Sequence, residues 1–522
     1  MAQGLFKIAI TVMVIRIAIT VRDSVLKRVI ASLLLIFMAT PFTMANDSVE
    51  ADAPSTETTE HKARIQGKNI RYQVAAGDTQ LKDEEGNPSA NIFSFYYQRT
   101  DVEDRAQRPL IFVFNGGPGS SSVWLHMGVF GPKKVVIPSD AERVGAPPYP
   151  ILDNPESLLD IADLVFIDPV GTGYSKPVGG KEGKAFWGIK EDAETLAQFI
   201  RVFVTRHQRW NSPKYLAGES YGTTRAAAIV GELQEGWGSM DLSGVFLISS
   251  ILDFQTGDFT PGNDLPFITF LPTYAATAWY HNALPDRSKW DDLPAFLDDV
   301  RQFALNDYAT TLLKGALATD EEYQNAVDKL HQFTGLRQQY IQQTDLRINE
   351  HFFMKELLRD RGEVVGRLDS RYVGEDESQV RERPETDPSS YAIDGAYTAA
   401  IQSYMAKDLN VIRDNRYQVL SGEVFRNWNW LYGASPRAQG FVSMSPILSK
   451  AMRQNKDFRI FIANGYYDLA TPFFATEYSM NHFGYDQERI KMAYYEAGHM
   501  MYIHHPSLES LAQDMRAFLL QQ

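Results

Sequence analysis

Three short, almost wholly apolar runs, Leu110–Phe114, Leu164–Ile167 and Val245–Ser249, constrain the fold of this 522-residue chain more than any other feature. Each is too short for a buried helix and rich in Ile, Val, Leu and Phe, the pattern of a strand covered on both faces. Between the second and third, Ile189, Ala193, Leu196, Ile200 and Phe203 recur three or four apart, marking one face of an amphipathic helix. Asn211-Ser212-Pro213 stops that helix, Tyr215–Ala217 reads as another strand, and Gly218–Gly222 turns it into a helix reaching about Gln234. Strand–helix–strand alternation of this kind requires a mostly parallel sheet flanked by helices, so the expected class is α/β.

Around this centre the pattern changes. Asn69–Val74 and Ile92–Tyr97 alternate as strands of an antiparallel opening, joined by Glu85-Gly86-Asn87-Pro88. From about 253 to 426 helical segments and long polar loops take over, with Thr319-Asp320-Glu321-Glu322 as a capping box, Gly362 as a helix stop and Gly374–Ser390 as an exposed loop. This stretch reads as a largely helical cap inserted between core parts 61–252 and 427–522. Sheet-like runs return at Phe458–Ala463 and Met492–Tyr495, and a last amphipathic helix covers about Ser507–Leu520.

At the amino terminus, Lys27 and Arg28 precede the apolar run Val29–Ala39 and the small-residue site Thr43-Met44-Ala45. Residues 1–45 therefore read as a signal peptide, predicting export to the periplasm or the medium; a retained anchor is the alternative. Residues 46–60, rich in Ser, Thr, Glu and Ala, read as a flexible linker. With 65 acidic against 51 basic side chains the formal charge is −14, which disfavours nucleic acid and anionic lipid as partners. No stable membrane contact is expected after signal cleavage, and the sequence sets no oligomeric state. The absence of cysteine excludes disulfides, zinc–thiolate sites and a thiol nucleophile.

Gly218-Glu219-Ser220-Tyr221-Gly222 fits G-x-S-x-G, the elbow that thrusts a serine out of a sheet where a strand reverses into a helix. A serine hydroxyl needs a base within hydrogen-bond reach, and that base needs an orienting carboxylate. In the α/β-hydrolase fold these follow in the order Ser, Asp, His. Asp468 follows the strand Phe458–Ala463 and His499 follows Met492–Tyr495, so Ser220, Asp468 and His499 form the candidate triad. An oxyanion needs amide donors: the Tyr221 N–H, directly after the nucleophile, is one, and the Gly116-Gly117 loop is a natural second source. An ordinary strand-to-helix turn capped by serine is the bland alternative. His504-His505 lacks the companions of a metal set, and no metal or organic cofactor is implied. His126 reads equally as a pocket residue or a core histidine.

Four motifs, Asn115-Gly116-Gly117-Pro118-Gly119-Ser120-Ser121-Ser122, Asp168-Pro169-Val170-Gly171-Thr172-Gly173-Tyr174-Ser175, Gly218-Glu219-Ser220-Tyr221-Gly222 and Gly498-His499-Met500, together resemble the serine carboxypeptidase family in order and spacing. The likeness runs from about residue 65 onward and fades in the cap. It implies a peptide substrate, a triad at Ser220, Asp468 and His499, oxyanion amides at Gly117 and Tyr221, and a site for the substrate's free carboxylate at Asn115 and Glu219. Such a carboxylate can pair with Glu219 only by sharing a proton, so binding should favour acidic pH; a plain surface carboxylate on a turn is the other reading.

The departures are specific. The family's second glutamate is Val129 here, its tryptophan before the asparagine is Phe114, and its usual cysteine is Ser120, as in a disulfide-free bacterial branch. Val129 keeps open an esterase, an acyltransferase or another serine hydrolase of the same fold. An inactive binding protein that retains the fold is a further alternative.

Overall fold

The apolar runs become the middle of one large sheet. In the computed structural model, residues 54–236, 238–432 and 440–521 are described; the signal-peptide or anchor segment 1–45 lies outside them, as does most of the expected linker. The strands used below are β1 (Thr56–Ile65), β2 (Lys68–Lys82), β3 (Pro88–Arg99), β4 (Leu110–Phe114), β5 (Asp163–Ile167), β6 (Lys214–Glu219), β7 (Gly244–Ile248), β8 (Arg459–Gly465) and β9 (Ile490–Tyr495). Their order across the sheet is β1-β2-β3-β5-β4-β6-β7-β8-β9, with the short strand Lys176–Pro177 also pairing with β3. β1 to β3 form an antiparallel opening that joins β5 antiparallel through β3, and β4 to β9 run parallel to one another.

β1 corrects the linker reading at its carboxyl end. Thr56–Glu60 pairs residue by residue with β2. Its composition looked like a linker because the first seven positions of this edge strand face solvent wholly or in part, and an exposed edge selects polar residues.

Side chains of the central strands alternate between two packed layers, both dry. Ile111, Val113, Leu164, Phe166, Tyr215, Ala217, Phe246 and Ile248 enter one core, while Leu110, Phe112, Val165, Leu216, Val245 and Leu247 enter the other. Helices α1 (Ile189–Arg206) and α2 (Tyr221–Gln234) cover the second face. On the first lie α4 (Pro388–Lys407) and α5 (His505–Leu520), while α3 (Leu265–Tyr280) belongs to the segment between β7 and β8. Pro388, Ser389 and Ser390 open α4 and are not part of the exposed loop expected over Gly374–Ser390, because Asp387 caps the helix through Ser389 N–H.

The segment between β7 and β8 builds a third apolar core from Phe270, Trp279, Phe296, Val327 and Phe353, and Tyr467 and Leu469, which flank Asp468, pack into it. From Pro54 onward the chain forms one compact unit. The capping box at Thr319 and Glu322 is present, and Gly362 ends a short 3₁₀ turn in the left-handed region.

Beneath the sheet, Asp163 at the start of β5 holds two arginines, Arg108 Nε at 2.7 Å and Arg209 Nη1 at 2.6 Å, all three buried. Removing the charge strands two buried cations, so Asp163→Asn should cost about 3–5 kcal/mol of stability. A urea midpoint lowered without a change in slope is the expected result.

Candidate active site

The register brings the functional loops to one edge. Phe114 pairs with Gly218, Ile248 with Glu219 and with Ala463, and Gly465 with Tyr495, so β4, β6, β7, β8 and β9 end nearly level. The residues that follow, Asn115–Gly119, Ser220, Ser249, Tyr466–Asp468 and Glu496–His499, therefore gather at the carboxyl edge, where sites in such sheets are built.

Ser220 sits between β6 and α2 with φ 59° and ψ −131°, a strained backbone for a residue with a Cβ. The surroundings hold it there: its N–H donates to Ile248 O at 3.0 Å, and its carbonyl accepts from Thr223 N–H and Oγ1 at 2.9 and 2.8 Å. The next residue along, Ser249, donates from Oγ to His499 O at 2.6 Å. The end of β7 thus ties the serine turn to the histidine loop.

His499 Nδ1 and Asp468 Oδ2 lie 2.7 Å apart and both residues are buried. Asp468 Oδ1 accepts from the N–H groups of Ala470 and Thr471, and Thr471 Oγ1 donates to Oδ2 at 2.6 Å. An acceptor so placed fixes the proton of His499 on Nδ1 and leaves Nε2 as the basic nitrogen. Burial would lower the His499 pKa, but the charge of Asp468 and its hydrogen bond outweigh it and the net shift is upward.

Glu219 is buried, with Asn115 Nδ2 donating to Oε1 at 2.9 Å and the Tyr502 hydroxyl donating to Oε2 at 2.7 Å. Burial pushes its pKa up to about 7, against the smaller opposing effects of His499, Tyr502 and Asn115. It is thus a core carboxyl, not the surface carboxylate of the alternative reading. Asn115 is itself fixed, its Oδ1 accepting from Leu125 N–H at 3.1 Å and its carbonyl accepting from the buried Arg225, which is ion-paired to Asp192.

The glycine loop lies directly against the serine turn. A Cβ on Gly116 would stand 2.5 Å from Tyr221 N, so only glycine allows this approach. Tyr221 opens α2, where an N–H has no acceptor within its own helix. Gly117, at φ 102°, follows on the same loop. The far end of the loop is anchored by Asp168, whose Oδ1 accepts from Ser122 N–H and Oγ at 2.9 and 2.8 Å, and whose pKa burial raises to about 6.

His126 belongs to the core. Its Nε2 meets the Tyr97 hydroxyl at 2.6 Å, its ring stacks on Phe166, and burial lowers its pKa to about 3. His504 bonds Ser507 Oγ through Nδ1 at 2.8 Å, and His505 begins α5. Among the described residues no cluster of three or more His, Cys, Asp or Glu is arranged to hold a metal ion. Val129 is buried in a π-helical turn, His126–Phe130.

Tyr502, Thr471 and Arg225 went unrecognised in the sequence. Tyr502 and Thr471 each stand three residues after a triad candidate, a spacing that could have flagged them. Arg225 had no such signal.

An α/β-hydrolase carrying a serine turn and an aspartate–histidine pair on its carboxyl edge is the class that this fold and geometry define. The serine carboxypeptidase profile matches residues 84–509, and the chain belongs to that family. Serine carboxypeptidase-like 36 of Arabidopsis thaliana is 32% identical over 140 residues, covering 26% of each chain. The pheromone-processing carboxypeptidase KEX1 of Phytophthora infestans is 30% identical over 156 residues, 30% of this chain and 22% of that one. The aligned segments thus span about a quarter of these two relatives. In fold, the chain is similar to the prohormone-processing carboxypeptidase Kex1 of Saccharomyces cerevisiae, with a TM-score of 0.50 and 16% identity over 86% of this chain and 91% of that one.

Because Glu219 keeps its proton to about pH 7 in the fold and to about 4.5 when unfolded, folding stability falls as pH rises between those values. Relative to Glu219→Gln, the parent should lose roughly 3 kcal/mol across that window and nothing further above it. Parallel denaturation curves from pH 4 to 9 measure the difference; a gap that stays constant would show that the carboxyl is not held neutral.

Proposed function

We propose that the protein is an exported serine-type carboxypeptidase that hydrolyses peptides through an acyl-enzyme on Ser220. The observation that carries this reading is the buried Asp468–His499 hydrogen bond at 2.7 Å, on the sheet edge that also carries the strained Ser220. Ser220 Oγ attacks the scissile carbonyl while His499 Nε2 takes its proton, and the C–N bond breaks as that proton passes to the leaving amine. Water then attacks the acyl ester, again with His499 as base, and Ser220 is restored. Gly117 and Tyr221 N–H groups stabilise the oxyanion of both tetrahedral states. Asp468 orients His499 and stabilises the imidazolium.

Asn115 and the protonated Glu219 hold the substrate's terminal carboxylate, Glu219 sharing its proton with it. Tyr502 meets the second oxygen of Glu219, a neutral donor that leaves a single carboxyl for this task. The Val129 substitution supports a second reading, an esterase or acyltransferase with little need for a free carboxylate. The basic run and small-residue site before Asn46 support export, to the periplasm or the medium.

Ser220→Ala should abolish labelling by a fluorophosphonate probe and lower turnover by several orders of magnitude. Persistent labelling would exclude Ser220 as nucleophile.

The pH profile separates the two readings. With a free-acid peptide, kcat/KM should rise as His499 loses its proton and fall as Glu219 ionises near pH 7. The matching C-terminal amide should show only the first limb. Glu219→Gln should remove the second limb and move the first to lower pH for both substrates, because the Glu219 charge favours the imidazolium. Equal cleavage of acid and amide from pH 4 to 8 would favour the esterase or acyltransferase.

A further inference from the structure

Residues 367–371, which come from the inserted segment, thread between the two loops that carry Asp468 and His499. Leu368 O accepts from His499 N–H at 2.6 Å, Arg367 O from Leu469 N–H at 3.0 Å, and Tyr467 O from Ser370 N–H at 2.9 Å. The approach is so close that a Cβ on Gly498 would stand 2.4 Å from Asp369 Cβ. Arg367 is thereby fixed next to Leu368, the histidine's backbone partner, with its own carbonyl held by Leu469, the residue after the aspartate.

The two carboxylates beside it are already engaged. Asp369 accepts from Gly498 N–H and pairs with Arg371 at 2.6 Å. Asp387 accepts from the N–H groups of Arg367 and Leu368 and from Ser389. Arg367 is half-buried as a residue and its side chain has no hydrogen bond or ion pair among the described residues, whereas Arg371, four residues on, is fully paired. Beside these backbone contacts, the charge of Arg367 disfavours the protonated form of His499. A half-buried arginine without a counter-charge of its own, in a protein of net charge −14, is suited to pair with a carboxylate brought by the substrate.

We propose that Arg367 is a specificity-determining residue that binds the side-chain carboxylate of an Asp or Glu beside the scissile bond, a role resting on the serine hydrolase reading above. The residue before the bond and the residue after it can both supply that carboxylate, and two substrate series distinguish them.

N-blocked peptides carrying Glu or Gln at the position before the bond form one series, and the same exchange at the position after it forms the other. The parent should prefer Glu over Gln in one series by about ten- to a hundredfold in kcat/KM, the effect of a charged hydrogen bond. Arg367→Gln should remove that preference, and Arg367→Lys should retain part of it, since a point charge lacks the two-pronged fork. Arg367→Gln should also move the acid limb of kcat to higher pH by removing a cation that opposes the imidazolium, a change that a merely structural residue would not produce. Fluorophosphonate labelling and the thermal midpoint of each variant report that the folded site persists. An unchanged Glu-to-Gln ratio in both series for Arg367→Gln would overturn the proposal, as would a loss confined to the preference for free acid over amide. Failure of the parent itself to label would overturn the hydrolase reading and this one with it.

Discussion

Everything at the carboxyl edge depends on the parallel register of five strands. Hydrogen bonding of β4, β6, β7, β8 and β9 at fixed pairs makes their last residues level, so a loop from each has only a short distance to travel. The strain at Ser220 can persist because that register anchors both sides of the turn, through Ile248 O before it and the first turn of α2 after it. A strained turn on a loosely paired edge would relax.

The second organising feature is dryness. Glu219, Asp468 and His499 are three titratable groups buried together, and the two carboxyls both bear on the proton affinity of His499. Burial raises Glu219 into the neutral range, while Asp468 holds His499 above its ordinary value despite burial. Glu219 is thus kept protonated toward neutral pH in surroundings that differ from those of Asp468. The difference lies in donors: Asp468 accepts from two backbone N–H groups, a hydroxyl and an imidazole, and Glu219 from one amide and one phenol.

The inserted segment is part of the site's frame. Its core takes in Tyr467 and Leu469 on either side of Asp468, and residues 367–371 bridge the aspartate and histidine loops. A chain that lost this insertion would keep the strands but lose the backbone partners of Leu469 and His499. Variation within this segment can therefore alter the surroundings of the aspartate and the histidine without touching the serine turn.

The sequence by itself determined the sheet and the motif-bearing loops. Leu110–Phe114 is a strand with the expected bounds, Ile189–Arg206 and Tyr221–Gln234 are the expected helices, and Asp468 and His499 stand on the loops foreseen for them. These were legible because apolar periodicity and turn chemistry are local and each is written within a few adjacent residues. The edge strand at Thr56–Glu60 was not, since an exposed edge has a linker's composition and only its pairing with β2 makes it a strand. Nor were Tyr502 on Glu219, Arg225 on Asn115 or the passage of residues 367–371 beside His499, contacts that join positions more than a hundred residues apart. Tertiary structure alone decided them, because which polar groups meet in a dry interior follows from packing across the whole chain, and no local pattern encodes it.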